Sequence, residues 1–523
     1  MGNFGRRIAA SLRDRRPEWI GLALFTAVVC VAVRRHEPWA DEAQSWQLAR
    51  TSGLGELFRS YIRYEVSPGL WHLLLWVLNR IGVGYAAIHW VCGAIAVGAA
   101  GLLLLRSPLP RALRLALPFT YFLIFQFAII ARSYAFAPLL LFLVALGWKK
   151  QNVWIAVLLG MLANLSLHAA ALAGGLAIVF LHDRLRGADG QRCAARRLIV
   201  FALIFAAFCV AALWTAWPPH DLDLAKFRGP TRGPLVMAFY ACRALFWGVC
   251  QPWPLSIVFW IAIALWLWSR GSLRFLLPVA FFAAFSGAAH VAFWHMGMLT
   301  PFVIAVLWIT WPGASTEAGV TNTAFGRGNR QWESVGLAAM AMLVCAQILW
   351  AGFALWWDFG HDYSSDRAAA DVLQPFVERG DTVAVTYIEH VEDQDYDAVG
   401  ILPYFDHNIF ANWAKPFWWW SDANPAEERF AALLPLRPKI VVVETRQNGP
   451  SLPIRYDHPR IVFLENNEYK LTHTLCGTVP ERLSLWRTSC HLIFEDAEAA
   501  KLPASGSTLN AAGFPAAKAT TAK

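Results

Sequence analysis

The feature that most constrains this chain is a series of apolar runs recurring from Trp19 to Trp357. Crossing a hydrocarbon layer of about 30 Å takes roughly 17 to 25 helical residues, because a helix satisfies its own backbone hydrogen bonds inside lipid. Run after run of this kind predicts a polytopic membrane bundle. Composition agrees: 57% of the 523 residues are hydrophobic and 15% are charged, against about one quarter charged in an average soluble domain. The 27 Trp and 34 Phe suit aromatic belts at the membrane boundaries.

A formal charge of +9 does not point to nucleic acid, because the basic residues sit in short stretches between apolar runs, where they set topology. The N-terminal cluster Arg6, Arg7, Arg13, Arg15 and Arg16 places that end in the cytoplasm, and the absence of a small-residue cleavage site predicts an uncleaved anchor. A first helix over 18–33 then exits outward. The basic stretches Arg106 to Arg114, Lys149 with Lys150, Arg184 to Arg197 and Arg270 to Arg274 all fall on the cytoplasmic side if 69–81 and 234–250 lie along the outer interface.

The expected architecture is an all-α bundle with about eleven crossings, near 18–33, 86–105, 115–131, 134–148, 152–167, 169–182, 197–217, 253–268, 274–293, 296–312 and 334–357. Residues 1–357 form this membrane domain, with a first external loop over 34–86 and a polar cytoplasmic linker over 313–333. Residues 358–497 are expected as a small external α/β domain, with β-type runs Thr382 to Tyr387 and Ile440 to Val443 between helices at Arg367 to Val377 and Ala426 to Leu434. The Ala, Thr and Ser tail over 498–523 is expected to be disordered. Cys476 and Cys490, unlike the cysteines inside apolar runs, would pair where that domain faces an oxidising compartment.

The chemistry concentrates in the first external loop. Asp41, Glu42 and Glu65 stand at the membrane edge among Trp39, Trp46, Tyr64 and Trp71. Carboxylates held against apolar surface suit proton abstraction from a hydroxyl; the plain alternative is a solvated loop whose acids balance nearby arginines. The topology brings Arg132, Tyr134, His168, His220 with Asp221 and Asp223, Lys226, Arg228 and His295 to the same outer face. Singly, each has a structural explanation, such as snorkelling or helix capping. Converging on one face of an apolar bundle, they mark a candidate site for a substrate that joins an anionic phosphate to a hydroxyl to be activated. In the external domain His390, Asp406, His407 and Trp418 to Trp420 are further candidates for contact with an acceptor or the membrane.

The Asp41-Glu42 pair after the first helix, the Glu65 to Pro68 stretch heading an interfacial helix and Arg132 after the third helix resemble the C-type glycosyltransferase superfamily, in particular bacterial relatives of protein O-mannosyltransferases and lipid A aminoarabinose transferases. The resemblance covers roughly the first 300 residues as a layout. It implies transfer of a sugar from a polyprenyl-phosphate donor to a lipid, glycan or protein acceptor at the periplasmic face of a bacterial inner membrane. By the same resemblance Asp41 is the general base, Glu42 orients the acceptor, Glu65 shapes a pocket and Arg132 holds phosphate. His89 stands where relatives often carry Arg, and Ser67-Pro68-Gly69 stands where they often carry two prolines. The expected function is therefore an enzyme, a membrane glycosyltransferase, with membrane lipids and no nucleic acid among its partners. The alternative is a transporter or flippase of lipid-linked sugars, which midplane charges would support. No cofactor is obligatory on this reading; Asp41, Glu42, Glu65 and nearby histidines supply hard ligands for a divalent metal without a strict ligand spacing.

Overall fold

The computed structural model describes residues 15–150, 153–186, 195–220, 222, 233–250, 252–289, 291–311, 324–388, 398–414, 430–448, 456–482 and 485–497. The chain is mostly helical, with a small mixed sheet near its C-terminal end. Five helical segments are long and apolar enough to cross a membrane: Arg16–Arg35, Ala87–Arg106, Ala195–Ala216, Phe293–Thr310 and Ser334–Gly360. The other six expected crossings are shorter, more polar or broken. Phe136–Gly147, Trp154–Ala163, Pro254–Ser269 and Leu276–Ala288 run 10 to 16 residues; at 1.5 Å per residue none spans 30 Å unaided. Leu167–Arg186 has the length, but its last two turns carry His182, Asp183, Arg184 and Arg186.

The stretch expected as a helix over 115–131 is not one. It breaks into a turn of α-helix to Ala116, a 3-10 turn at Leu117–Phe119, a π-type turn at Phe122–Gln126 and irregular backbone to Arg132. Pro118 removes one ladder donor, and Tyr121 lies flat on Trp350 with ring centres 4.0 Å apart. Buried backbone freed in this way needs other partners; the Ala131 amide finds one in the Glu42 carboxylate at 2.5 Å. The two stretches expected along the interface are short helices, Leu70–Arg80 and Pro234–Trp247. The long helix begins back at Ala324, inside the expected linker.

The helix ends sort into two polar layers. At one end Glu18, buried, takes Arg111 at 3.1 Å and Arg114 at 3.0 Å, Arg15 donates to the Leu105 carbonyl, and Asp183 pairs with Arg274 at 2.5 Å. At the far end of Arg16–Arg35, about 30 Å away by helix rise, lie His36 and the first loop. All of these basic groups come from the stretches expected to share one side.

The sheet has the order β1-β2-β4-β3, with β1 (Val383–Ile388) parallel to β2 (Ile440–Asn448), and β3 (Tyr469–Arg482) and β4 (Leu485–Asp496) forming an antiparallel hairpin against β2. The run Ile440 to Val443 is apolar throughout because both faces are covered. Ile440 and Val442 pack with Ala369, Ala370 and Leu373 of the helix Asp366–Glu378. Val441 and Val443 pack with Ile461 and Leu464 of Pro459–Asn466. Cys476 and Cys490 face each other across β3 and β4 and are disulfide-bonded. This unit is tied to the first loop: Ser364 Oγ donates to the Pro38 carbonyl at 2.8 Å, the Arg367 amide to Glu37 at 2.8 Å, and Arg50 to the Phe405 carbonyl at 2.6 Å.

Candidate functional site

The helix Ala40–Thr51 sends two adjacent acids into different surroundings. Consecutive helical positions point about 100° apart, and both acids sit in the first turn, where the helix dipole favours negative charge. Glu42 turns inward and is fully buried. Its carboxylate accepts from the Trp39 amide at 3.1 Å, closing the helix start, from the Ala131 amide, and hydrogen-bonds His89 Nε2 at 2.9 Å. His36 Nε2 approaches its other edge at 3.8 Å, while His36 Nδ1 meets Asp358 at 2.9 Å. The Asp358 carboxylate accepts there, so Nδ1 carries a proton.

Asp41 turns the other way and pairs with Arg132. Here some surface is open: 15% of the Asp41 side chain and 19% of that of Arg132. Arg132 is held by extended backbone just before the Ser133–Ala135 turn, with the rings of Tyr134 and Trp294 5.9 Å and 6.0 Å from its guanidinium carbon. Tyr134 Oη hydrogen-bonds His295 Nε2 at 2.8 Å. His295 Nδ1 accepts from the Ala292 amide at 3.0 Å, so in the neutral ring Nε2–H is the donor to Tyr134. His168 stacks on His295 with centroids 4.2 Å apart.

Glu65 completes the acidic side. Gln44 donates to it at 3.1 Å, and Val66, a β-branched residue at φ +46°, forms the turn after it. Such a residue rarely adopts left-handed backbone. Burial pushes the Glu65 carboxyl up to about 7, opposed by Gln44 and Arg132 and helped by the Asp41 charge. His72, on Leu70–Arg80, is buried with neither ring nitrogen hydrogen-bonded among the described residues. Burial and the Arg132 charge lower its pKa to about 3, so its ring is neutral.

Of the residues expected at the site, Asp41, Glu42, Glu65, His89, Arg132, Tyr134, His168 and His295 are linked in this one region. Lys226, Arg228, Asp221, Asp223, His390 and Trp418 to Trp420 lie outside the described residues. His220, Asp406 and His407 are exposed and make none of the contacts above. The expected acceptor contact by Glu42 does not fit its burial: both of its oxygens face the protein interior. His36, His72, Gln44 and Asp358 join the region without having been singled out as site residues. Asp358 is 322 positions from its partner His36, a distance over which no spacing pattern operates. No family model, no curated protein and no solved structure matches the chain.

Proposed function

We propose that the protein is a membrane glycosyltransferase that moves a sugar from a polyprenyl-phosphate donor to an acceptor hydroxyl on a lipid, glycan or protein. The observation that carries this reading is the partly open Asp41–Arg132 pair, flanked by Glu65 on one side and by Trp294, Tyr134 and His295 on the other. An anionic leaving group needs a fixed cation, and a forked guanidinium suits phosphate. As donor phosphate engages Arg132, Asp41 is released to take the acceptor proton; the acceptor oxygen bonds the anomeric carbon, the bond from that carbon to the phosphate oxygen breaks, and the polyprenyl phosphate leaves on Arg132. Aromatic faces suit both the sugar and the isoprenoid chain.

On this reading the eleven apolar segments cross in the manner of a C-type glycosyltransferase, the short ones completed by turns and polar ends. The protein resides in a bacterial inner membrane with the Asp41 layer facing the periplasm. The basic groups gathered with Glu18 and Asp183 support that orientation through the positive-inside rule, and the Cys476–Cys490 disulfide supports an oxidising compartment for the sheet.

The test is transfer from a panel of polyprenyl-phosphate sugars by purified protein, comparing wild type with Asp41→Asn. Product is expected only from lipid-linked donors, with at least about a hundredfold loss in the variant, the scale of general-base removal. Translocation of labelled lipid without transfer would mean a flippase, and activity with soluble nucleotide sugars alone a different enzyme class.

A further inference from the structure

Behind the open Asp41–Arg132 pair lies a second cluster that the transfer reading does not use. His36, Glu42 and His89 come from the end of one helix, the first turn of the next and the start of a third. All three are buried, and one donor atom from each lies within 4.8 Å of the others. His36 Nε2 is buried with no hydrogen-bond partner among the described residues and faces Glu42 at 3.8 Å. Its other nitrogen is held by Asp358 at 2.9 Å. A proton fixed on Nδ1 by a carboxylate leaves Nε2 as the ligating atom, the arrangement that orients metal-bound histidines.

We propose that His36 Nε2, His89 Nε2 and the Glu42 carboxylate bind a single divalent transition-metal ion of the zinc class. Charge suits a dication: two carboxylates, Glu42 in the cluster and Asp358 behind His36, face the same spot. The donor set is two imidazole nitrogens and one carboxylate oxygen, borderline ligands that suit zinc over calcium or magnesium. Tetrahedral zinc keeps its ligand atoms about 3.3 Å apart, so the cluster needs only a small contraction. The His89–Glu42 hydrogen bond gives way to two bonds to the ion, and the single proton of the neutral His89 ring moves from Nε2 to Nδ1. The site is closed to solvent, and the ion pins the start of Ala40–Thr51, next to Asp41; it holds the loop in place and does not enter the reaction.

The experiment uses full-length chain in detergent, purified without a histidine tag and stripped by chelator. Zinc or cobalt(II) titration is expected to saturate at about one equivalent with sub-micromolar affinity and to raise the unfolding temperature, since a ligand bound only by the folded state stabilises it. Cobalt should give the visible absorption of a low-coordinate nitrogen and oxygen site, and X-ray absorption of the zinc form an imidazole-containing shell without sulfur. Asp358→Asn should weaken binding about 10- to 100-fold, and His36→Ala or His89→Ala by more. No stoichiometric binding, a sulfur-containing shell, or unchanged affinity in both histidine variants overturns the proposal. Should the variants not fold, the wild-type stoichiometry and absorption spectra decide alone.

Discussion

At the scale of single residues, the site turns on where each charge can go. Glu65 is the clearest case, because burial holds its carboxyl near 7 while its ordinary value is 4.5. The folded chain therefore binds that proton more tightly than the unfolded chain does. The resulting stabilisation is complete below about pH 4.5 and is lost as the pH rises through 7. The unfolding temperature of wild type should fall between pH 5 and 7.5, and Glu65→Gln, which stays neutral, should flatten that fall. An equally steep fall in the variant would assign the effect elsewhere. Asp41 and Glu42 show the complementary point: neighbours in sequence, they face an open edge and a sealed interior, so under the proposed function Asp41→Asn should abolish transfer with the fold kept, whereas a change at Glu42 should loosen the loop.

At the scale of elements, close helix contacts rest on small residues. Gly175, on Leu167–Arg186, stands against Pro278 of Leu276–Ala288, and a methyl group there would come within 2.4 Å of the Pro278 Cα, which is backbone and does not swing aside. Its neighbour Gly174 has nothing within 4 Å. Gly175→Ala should lower stability by about 1–3 kcal/mol, as overpacking does. Gly174→Ala should be neutral or gain up to about 1 kcal/mol through helix propensity. Thermal unfolding of the two variants side by side checks both signs. The broken 115–131 stretch belongs to this scale too: apolar content predicted a helix there, but Pro118 and the claim of Glu42 on the Ala131 amide set its backbone.

At the scale of the whole molecule, two polar layers lie at opposite ends of the bundle, and the mixed sheet is docked on the layer that holds Asp41 through Arg50, Ser364 and Arg367. If those layers face opposite sides of a membrane, single cysteines at Arg106 and Arg379, both exposed, should label from opposite sides with an impermeant thiol reagent in a background cleared of free cysteines. Labelling of both from one side would break the proposed topology.

Hydropathy and period are local properties that every stretch carries with it, so a mostly helical chain with segments apolar enough to cross a membrane, and a smaller α/β part, could be read from residues alone. Asp41, Glu65 and Arg132 were likewise legible as polar residues at the ends of apolar runs. The β3–β4 hairpin was not, since a stretch such as YKLTHTLC is half polar and becomes a strand only by pairing with β4. That Asp41 meets Arg132, that Glu42 is sealed against His89, and that Asp358 reaches His36 across most of the chain emerges with the folded chain. Those contacts depend on how helix ends converge in space, and no interval in the sequence encodes that distance.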